Sequence, residues 1–583
     1  VDVVPQTPDT PVSFTATAVS STQIDLSWAP GPNGTTPDDY DLDWSLTGTG
    51  GWNAITFVGT ATTYQHTGRT PGTTYYYRLR ALAGASASGY VTTNKAIAGT
   101  ATYTIAASTA SRVYDGALTA GFNGANWVTS GGVTRKPTSN DVIELEGGTH
   151  GKTEFKNLLG AANNRITIRP AAGGVAIFRS ATVSSSGFVV QLNNCRYVNV
   201  DGYSTGGTDN CGIKIMYATT IGATKDAPSA WLRVGDTATN VSSFLTVSYV
   251  EIDGGYTTSS TTTKSSNGIG LSVNDKVYWT YRDNCVSTNN DPVGPYGTPK
   301  KWRESLTFEH MRIRNVEGEG MYIGPNWYDN TPAGTAKADG GIPLRNIIVR
   351  HNLVENTGWD CINTKSWMGG TNLIHDNVVN NGSLQGSTSP FECGGILQLT
   401  GCASVYNNVV NGNYWRGIQV FTDQVPSSLP FGPWTAEVYN NVVVDIATVP
   451  LDATRTGRGI AVGAGSGSIT FQALIYNNTV VDTPSNGISV GNVNSGSVVA
   501  NNILADASTV SAGTATTYQN RTGTAASMGF VSVAGEDYRL TAGSASVDVV
   551  TNSYYPATDI LDVARPQGVR ADQGAYERES DGP

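Results

Sequence analysis

The chain has 583 residues, only 14% of them charged, with 68 glycines and a formal net charge of −10. That acidity argues against a nucleic-acid polyanion as main partner, since such binding needs a basic face that releases counterions, and no run approaches the roughly 18 apolar residues that cross a bilayer. Abundant Gly, Asn, Thr, Ser and Val, without an amphipathic helical stretch longer than a few turns, exclude a helical fold and suit short strands joined by tight turns.

The opening residues, Val1-Asp2-Val3-Val4-Pro5, carry no signal-peptide pattern and read as a mature end; secretion is therefore an expectation from the kind of protein that follows. Residues 12–99 carry the alternating segments VSFTATAVSSTQIDLSWAP, DYDLDWSL, TTYYYRLRALAG and ASGYVTTNKAIAG, the pattern of a small β-sandwich. Trp28, Tyr75 and Tyr77 are expected in its core. At that tryptophan and at PGTTYYYRLRA the stretch resembles a fibronectin type III domain, over about one sixth of the chain. The resemblance implies a spacer or a weak carbohydrate contact, without catalysis. The expected division is 1–102 for this module and 103–583 for the rest.

From about residue 140 the sequence repeats loosely, and the segment DVIELEGGTHGKTEF reads as a first coil. Asn352, Asn377, Asn408, Asn441, Asn478 and Asn502 take equivalent places at intervals of 25, 31, 33, 37 and 24 residues. A shared minimum with insertions at one point suits a solenoid of short parallel strands. The Asn column is expected to be structural, its side chains bonding up and down the stack and adopting left-handed backbone geometry at a turn. The fold expected is all-β, a right-handed parallel β-helix behind the sandwich, closed by the segment DVARPQGVRADQGAYE, which resembles the C-terminal end of many secreted β-helix proteins. Six cysteines, Cys195, Cys211, Cys285, Cys361, Cys393 and Cys402, form no CxxC pair and stand at no metal spacing with His. Structural zinc is thus not expected, while disulfides and small buried thiols both remain open.

Aligning the coils on the strand after the variable turn gives SSNGIGLSV, GEGMYIG, WDCINTK, ECGGILQL, WRGIQVF, GRGIAVG and SNGISVG. Two places before the inward Ile or Met the column reads Asn267, Glu319, Asp360, Gly394, Arg416, Arg458 and Asn486. Adjacent coils lie ~4.8 Å apart, so Glu319 and Asp360 form a carboxyl pair, in which one pKa rises while the other group stays ionised, as glycoside hydrolysis requires. A separation of ~5 Å favours retention of configuration, while Glu392, a third catalytic candidate, or Glu317 paired with either residue would open the ~6.5–9.5 Å gap of an inverting enzyme. Asn363 and Lys365 should face outward, with Gln419 and Tyr322 beside them, to bond sugar hydroxyls. Arg416 and Arg458 would either hold an acidic or sulfated sugar or serve as structural ion-pair partners. Trp302, Trp327, Tyr328, Trp359, Trp367, Tyr414, Trp415, Phe421 and Trp434 crowd the turns, where exposed rings would stack on sugar faces.

Residues from about 104 to 575 resemble the right-handed parallel β-helix superfamily of pectate lyases, polygalacturonases and alginate lyases. The resemblance implies action on a polysaccharide. The polygalacturonase pattern, an aspartate pair followed by Gly-His-Gly and Arg-x-Lys, is not present in order. The family 9 pectate lyases pair an aspartate-rich, Ca²⁺-binding coil with a GFKLGG-like coil that holds the lysine base. Here those coils read WDCINTK and ECGGILQLTG, so Asp360 has no neighbouring aspartate and the lysine place holds Leu397 or Gln398. The leading expectation is a secreted, monomeric, endo-acting glycoside hydrolase on an anionic plant or algal polysaccharide, needing no cofactor. The runner-up is a Ca²⁺-assisted lyase with Lys365 as base; a non-catalytic carbohydrate-binding adhesin is third.

Overall fold

The structure, a computed structural model, describes residues 8–578 except 21–22, 32–35, 56–59, 70–73, 85, 97–100, 163, 180–186, 217–229, 236–241, 256–266, 271–302, 325–343, 385–393, 402, 423–433, 449–455, 466–469 and 508. At the N-terminus a three-stranded antiparallel sheet (Val12–Ser20, Gln23–Ala29, Thr63–His66) shares a core with a five-stranded one built on Asp39–Ser45 and Thr74–Ala83. Strict alternation puts Ile24, Leu26 and Trp28 inward from one sheet to meet Tyr40, Tyr75 and Tyr77 from the other. The three expected core aromatics are all buried.

His66 lies in that core with Nδ1 2.9 Å from the Tyr77 hydroxyl, and burial, aided by Arg69, lowers its pKa to about 4. Between pH 6.5 and 4 the unfolded module takes up a proton that the folded one refuses. The contribution is therefore complete above pH 6.5 and declines as pH falls through this window, by about 3–4 kcal/mol in total. Thermal melts of the full chain should show the sandwich transition falling over that range, and His66→Gln should flatten the slope.

From Tyr103 onward the chain winds as a parallel β-helix with three columns of strands. One coil shows the plan, with Leu344–Arg350 in the first column, Leu353–Thr357 in the second, Ile362–Gly369 in the third, and Leu373–His375 back on the first. The first and third columns merge into a 25-stranded sheet and the second forms a 12-stranded one. Inward Ile, Val, Leu and Phe side chains make one continuous core from Tyr103 to Ala507. Winding begins a coil earlier than the visible repeat, because Tyr103–Ile105 and Arg112–Asp115 already pair with Val142–Leu145 and Thr153–Lys156. The intervening segment packs Phe122 and Trp127 against Tyr114, and this insertion hides the period.

The Asn column is buried as expected. Asn352, Asn377, Asn408, Asn441 and Asn478 each donate from Nδ2 to Oδ1 of the next member at 2.9–3.0 Å, and Asn502 continues to Asn520 at 2.8 Å. The expected left-handed geometry falls one residue earlier, on His351, Asp376, Asn407, Asn440, Asn477 and Asn501, with φ between 52° and 57°. That residue turns the corner, leaving the ladder Asn free to direct its amide along the stack. Asn441→Ala would orphan the Asn408 N–H groups and the Val405 carbonyl and is expected to cost about 2–4 kcal/mol, read as a lowered denaturant midpoint.

Cys195, Cys211 and Cys361 are free and buried, their thiols pushed up to about 12 by burial; Cys285, Cys393 and Cys402 lie outside the described residues. Among the described residues no helix is long and apolar enough to cross a membrane. Beyond the last coil a short helix, Ala525–Met528, and the hairpin of Phe530–Ser532 with Asp537–Leu540 precede the C-terminal segment. That segment runs back along the left-handed Asn row: Asn440, Asn477 and Asn501 donate to the carbonyls of Thr558, Asp572 and Tyr554 at 2.6–2.8 Å.

Candidate functional site

The third column carries the candidate residues. Met321, Ile362, Ile396, Ile418, Ile460 and Ile488 pair in unbroken register and face the core. The positions two residues earlier therefore stack as the sequence alignment required. Gly394, Arg416 and Arg458 pair directly, while Gly320 N donates to Asp360 O at 2.9 Å and Cys361 N to Gly394 O at 3.0 Å. Glu319 and Asp360 thus occupy consecutive coils. The backbone of Asn267 falls on the same column.

This row is not the solvated turn edge that was expected, for Glu319 and Asp360 are both 0% exposed. The Asp360 carboxylate is turned onto its own chain, where Oδ1 accepts the Gly394 N–H at 2.8 Å and Oδ2 accepts an Asn363 Nδ2–H at 2.8 Å. Gly394 has φ 93°, and a Cβ there would meet the Tyr414 carbonyl oxygen at 2.5 Å. Glycine alone lets the next coil present its N–H in this way.

Strand alternation turns the neighbouring positions outward. Tyr322, Asn363, Leu397, Gln419 and Ala461 follow one another on one ladder, and Lys365, Leu399 and Phe421 on the next. Asn363, Gln419 and Lys365 are only 0%, 2% and 6% exposed, so this flank is covered where side chains open to sugar hydroxyls were expected. Lys365 Nζ sits 4.7 Å from the Tyr322 ring centre. The Arg416 guanidinium lies 4.2 Å over Trp415, whose backbone has φ 77°, a costly conformation for a bulky residue. Trp415 is itself buried, and Trp359, Tyr414, Phe421 and Trp434 are half-buried, where exposed rings were expected.

Several expectations fall elsewhere. Gln398 faces the coil interior, where its Oε1 accepts the Thr364 hydroxyl at 2.7 Å. Glu392, Trp302, Trp327 and Tyr328 lie outside the described residues, as does the side chain of Trp367. Sequence reasoning missed the outward apolar cluster of Leu397 and Leu399 with Phe421. The signal was present in GGILQLTG, which is apolar on both faces, as a strand covered on both sides would be. Among the described residues no group of three His, Cys, Asp or Glu side chains stands where it could hold a metal ion.

No curated protein matches the chain. Among solved structures, "Crystal Structure of FN3tt" is 23% identical with a TM-score of 0.14, covering 15% of this chain and 92% of that one. The sixth fibronectin type III domain of human fibronectin type III domain containing protein 3 is 25% identical with a TM-score of 0.15, covering 17% of this chain and 92% of that one. A family model, described as fibronectin type III domain, matches residues 9–94. The N-terminal sandwich is therefore a fibronectin type III domain, followed by a long parallel β-helix.

Proposed function

We propose that the chain is a secreted polysaccharide-degrading enzyme, an endo-acting glycoside hydrolase for an anionic polysaccharide. The observation that supports this reading is the register that sets Glu319 and Asp360 on consecutive coils, with Arg416 and Arg458 paired further along the same column. The backbones of the two residues are one coil step apart, ~4.8 Å, the spacing from which a two-carboxylate mechanism can be built. In this reading Asp360, whose oxygens already accept N–H donors, is the ionised partner that attacks the sugar or activates water. Glu319 protonates the leaving glycosidic oxygen. Arg416 and Arg458 are paired in backbone register on consecutive coils, and arginines are the side chains suited to an acidic or sulfated sugar.

The test is incubation with neutral, uronate-containing and sulfated polysaccharides, with and without EDTA, following new reducing ends and ultraviolet absorbance near ~235 nm together; hydrolysis consumes water, whereas elimination leaves a conjugated double bond. Reducing ends without absorbance support the hydrolase. A chelator-sensitive rise in absorbance transfers the chemistry to elimination with Lys365 as base, and binding without product leaves a carbohydrate-binding protein.

A further inference from the structure

We propose that the C-terminal segment is an acid-tightened clasp, in which three buried carboxylates gathered round one arginine hold a proton that is released when the segment opens. Asp559, Asp572 and Glu577 are 0%, 1% and 5% exposed, and the cation they share is Arg565, buried with them. Its Nη1 lies 2.9 Å from Glu577 Oε2, and Asp559 and Asp572 act on the same guanidinium through space. From the coils beneath, Asn440 and Asn477 reach this cluster, and neither titrates. Asp548 faces Asp572, and Tyr576 faces Asp559.

Fully ionised, the cluster sets three negative charges against one positive, and the excess has no water to solvate it. Backbone donors offset part of this cost. Asp559 accepts the N–H groups of Leu561, Val563 and Glu577 at 2.7–2.9 Å, Asp572 those of Asp548 and Arg578 at 2.7 Å, and Glu577 those of Gln567 and Asp572 at 2.9 Å. Burial outweighs these bonds and raises all three carboxyls, Glu577 to about 7 against the pull of Arg565; the proton belongs to the coupled cluster. Between the ordinary value of 4.5 and about 7, the closed segment keeps a proton that the open one has lost. The stabilisation is therefore complete below pH 4.5 and is lost as pH rises to 7, opening becoming about tenfold easier per pH unit. The direction is opposite to that set by His66 in the sandwich. Opening uncovers the second-column face of Val442, Val444, Val481 and Ile503, which packs with Ala575 and Tyr576.

The test is hydrogen exchange of the full-length protein from pH 5 to 8, read at the amides of Val563, Gln567, Asp572 and Glu577 and corrected for the pH dependence of the chemical exchange step. In wild type the opening constant is expected to rise about a hundredfold from pH 5 to 7 and to stay level above it. Glu577→Gln cannot take up the proton, and its opening constant should hold within about twofold over the same range. A flat wild type, or a wild-type slope in Glu577→Gln, would overturn the clasp. Asp562, on the same segment, faces Asp376 and His351 and is also raised by burial, so Asp562→Asn serves as the control that keeps the test decisive even where Glu577→Gln does not fold. The wild-type slope persisting in Asp562→Asn supports the cluster round Arg565, and its loss there would assign the proton to the Asp376 contact and overturn the inference.

Discussion

Arg565→Ala is expected to destabilise the β-helix domain by about 3–5 kcal/mol, the cost of leaving a buried charge without its partner. Arg565 and Glu577 are 0% and 1% exposed, with Nη1 2.9 Å from Oε2. The same guanidinium donates to the Asp572 and Gly574 carbonyls at 3.1 and 2.9 Å. Glu577 in turn accepts the N–H groups of Asp572 and Gln567 at 2.9 Å, so this ion pair ties together the stretch from Arg565 to Glu577. Its loss should free residues 541–578 from the Asn row and expose them to protease at temperatures where wild type resists. Arg565→Met with Glu577→Leu should recover part of the stability, because apolar replacement of both partners removes the stranded charge. A first unfolding transition unchanged in Arg565→Ala would show that the segment is held by its other contacts.

Asp360→Asn is expected to lower turnover about 10²–10⁴-fold, the usual contribution of a positioned acid or base. The substitution keeps one oxygen for the Gly394 N–H but sets an amide N–H against Asn363 Nδ2, so a stability loss of about 1–3 kcal/mol should accompany it. The chemical and the structural role separate when turnover per folded molecule is measured at a temperature well below the variant's Tm. Asp360→Asn with Asn363→Asp restores a donor to an acceptor and should recover stability without recovering turnover. If that double variant regained both, Asp360 would be a structural residue and the two-carboxylate reading would fall.

Much of this molecule was legible before any coordinates. Each coil of a solenoid packs only on its neighbours, so the inward Ile and Met column and the Asn ladder could be read from local pattern alone, and the register of Glu319 on Asp360 followed from them. The first coil was hidden because its strands are split by the insertion around Trp127. The left-handed residue was misplaced by one position because a column of identical Asn does not reveal whether the turn bends at the Asn or just before it. In four of the coils described, from Asn407 to Asn501, both positions are asparagine.

The sequence by itself determined the winding, its period and its phase, because those depend on residues within one coil of each other. Only the tertiary structure decided which outward faces are covered. Asp360, Asn363 and Gln419 are 0%, 0% and 2% exposed, which alternation alone did not reveal. The anchoring of the C-terminal segment has the same character, for Arg565 reaches Asn440 across 125 residues. Alternation sets which way a side chain points, but what it meets there is set by distant parts of the fold, and on that meeting depends the environment of the carboxylate pair.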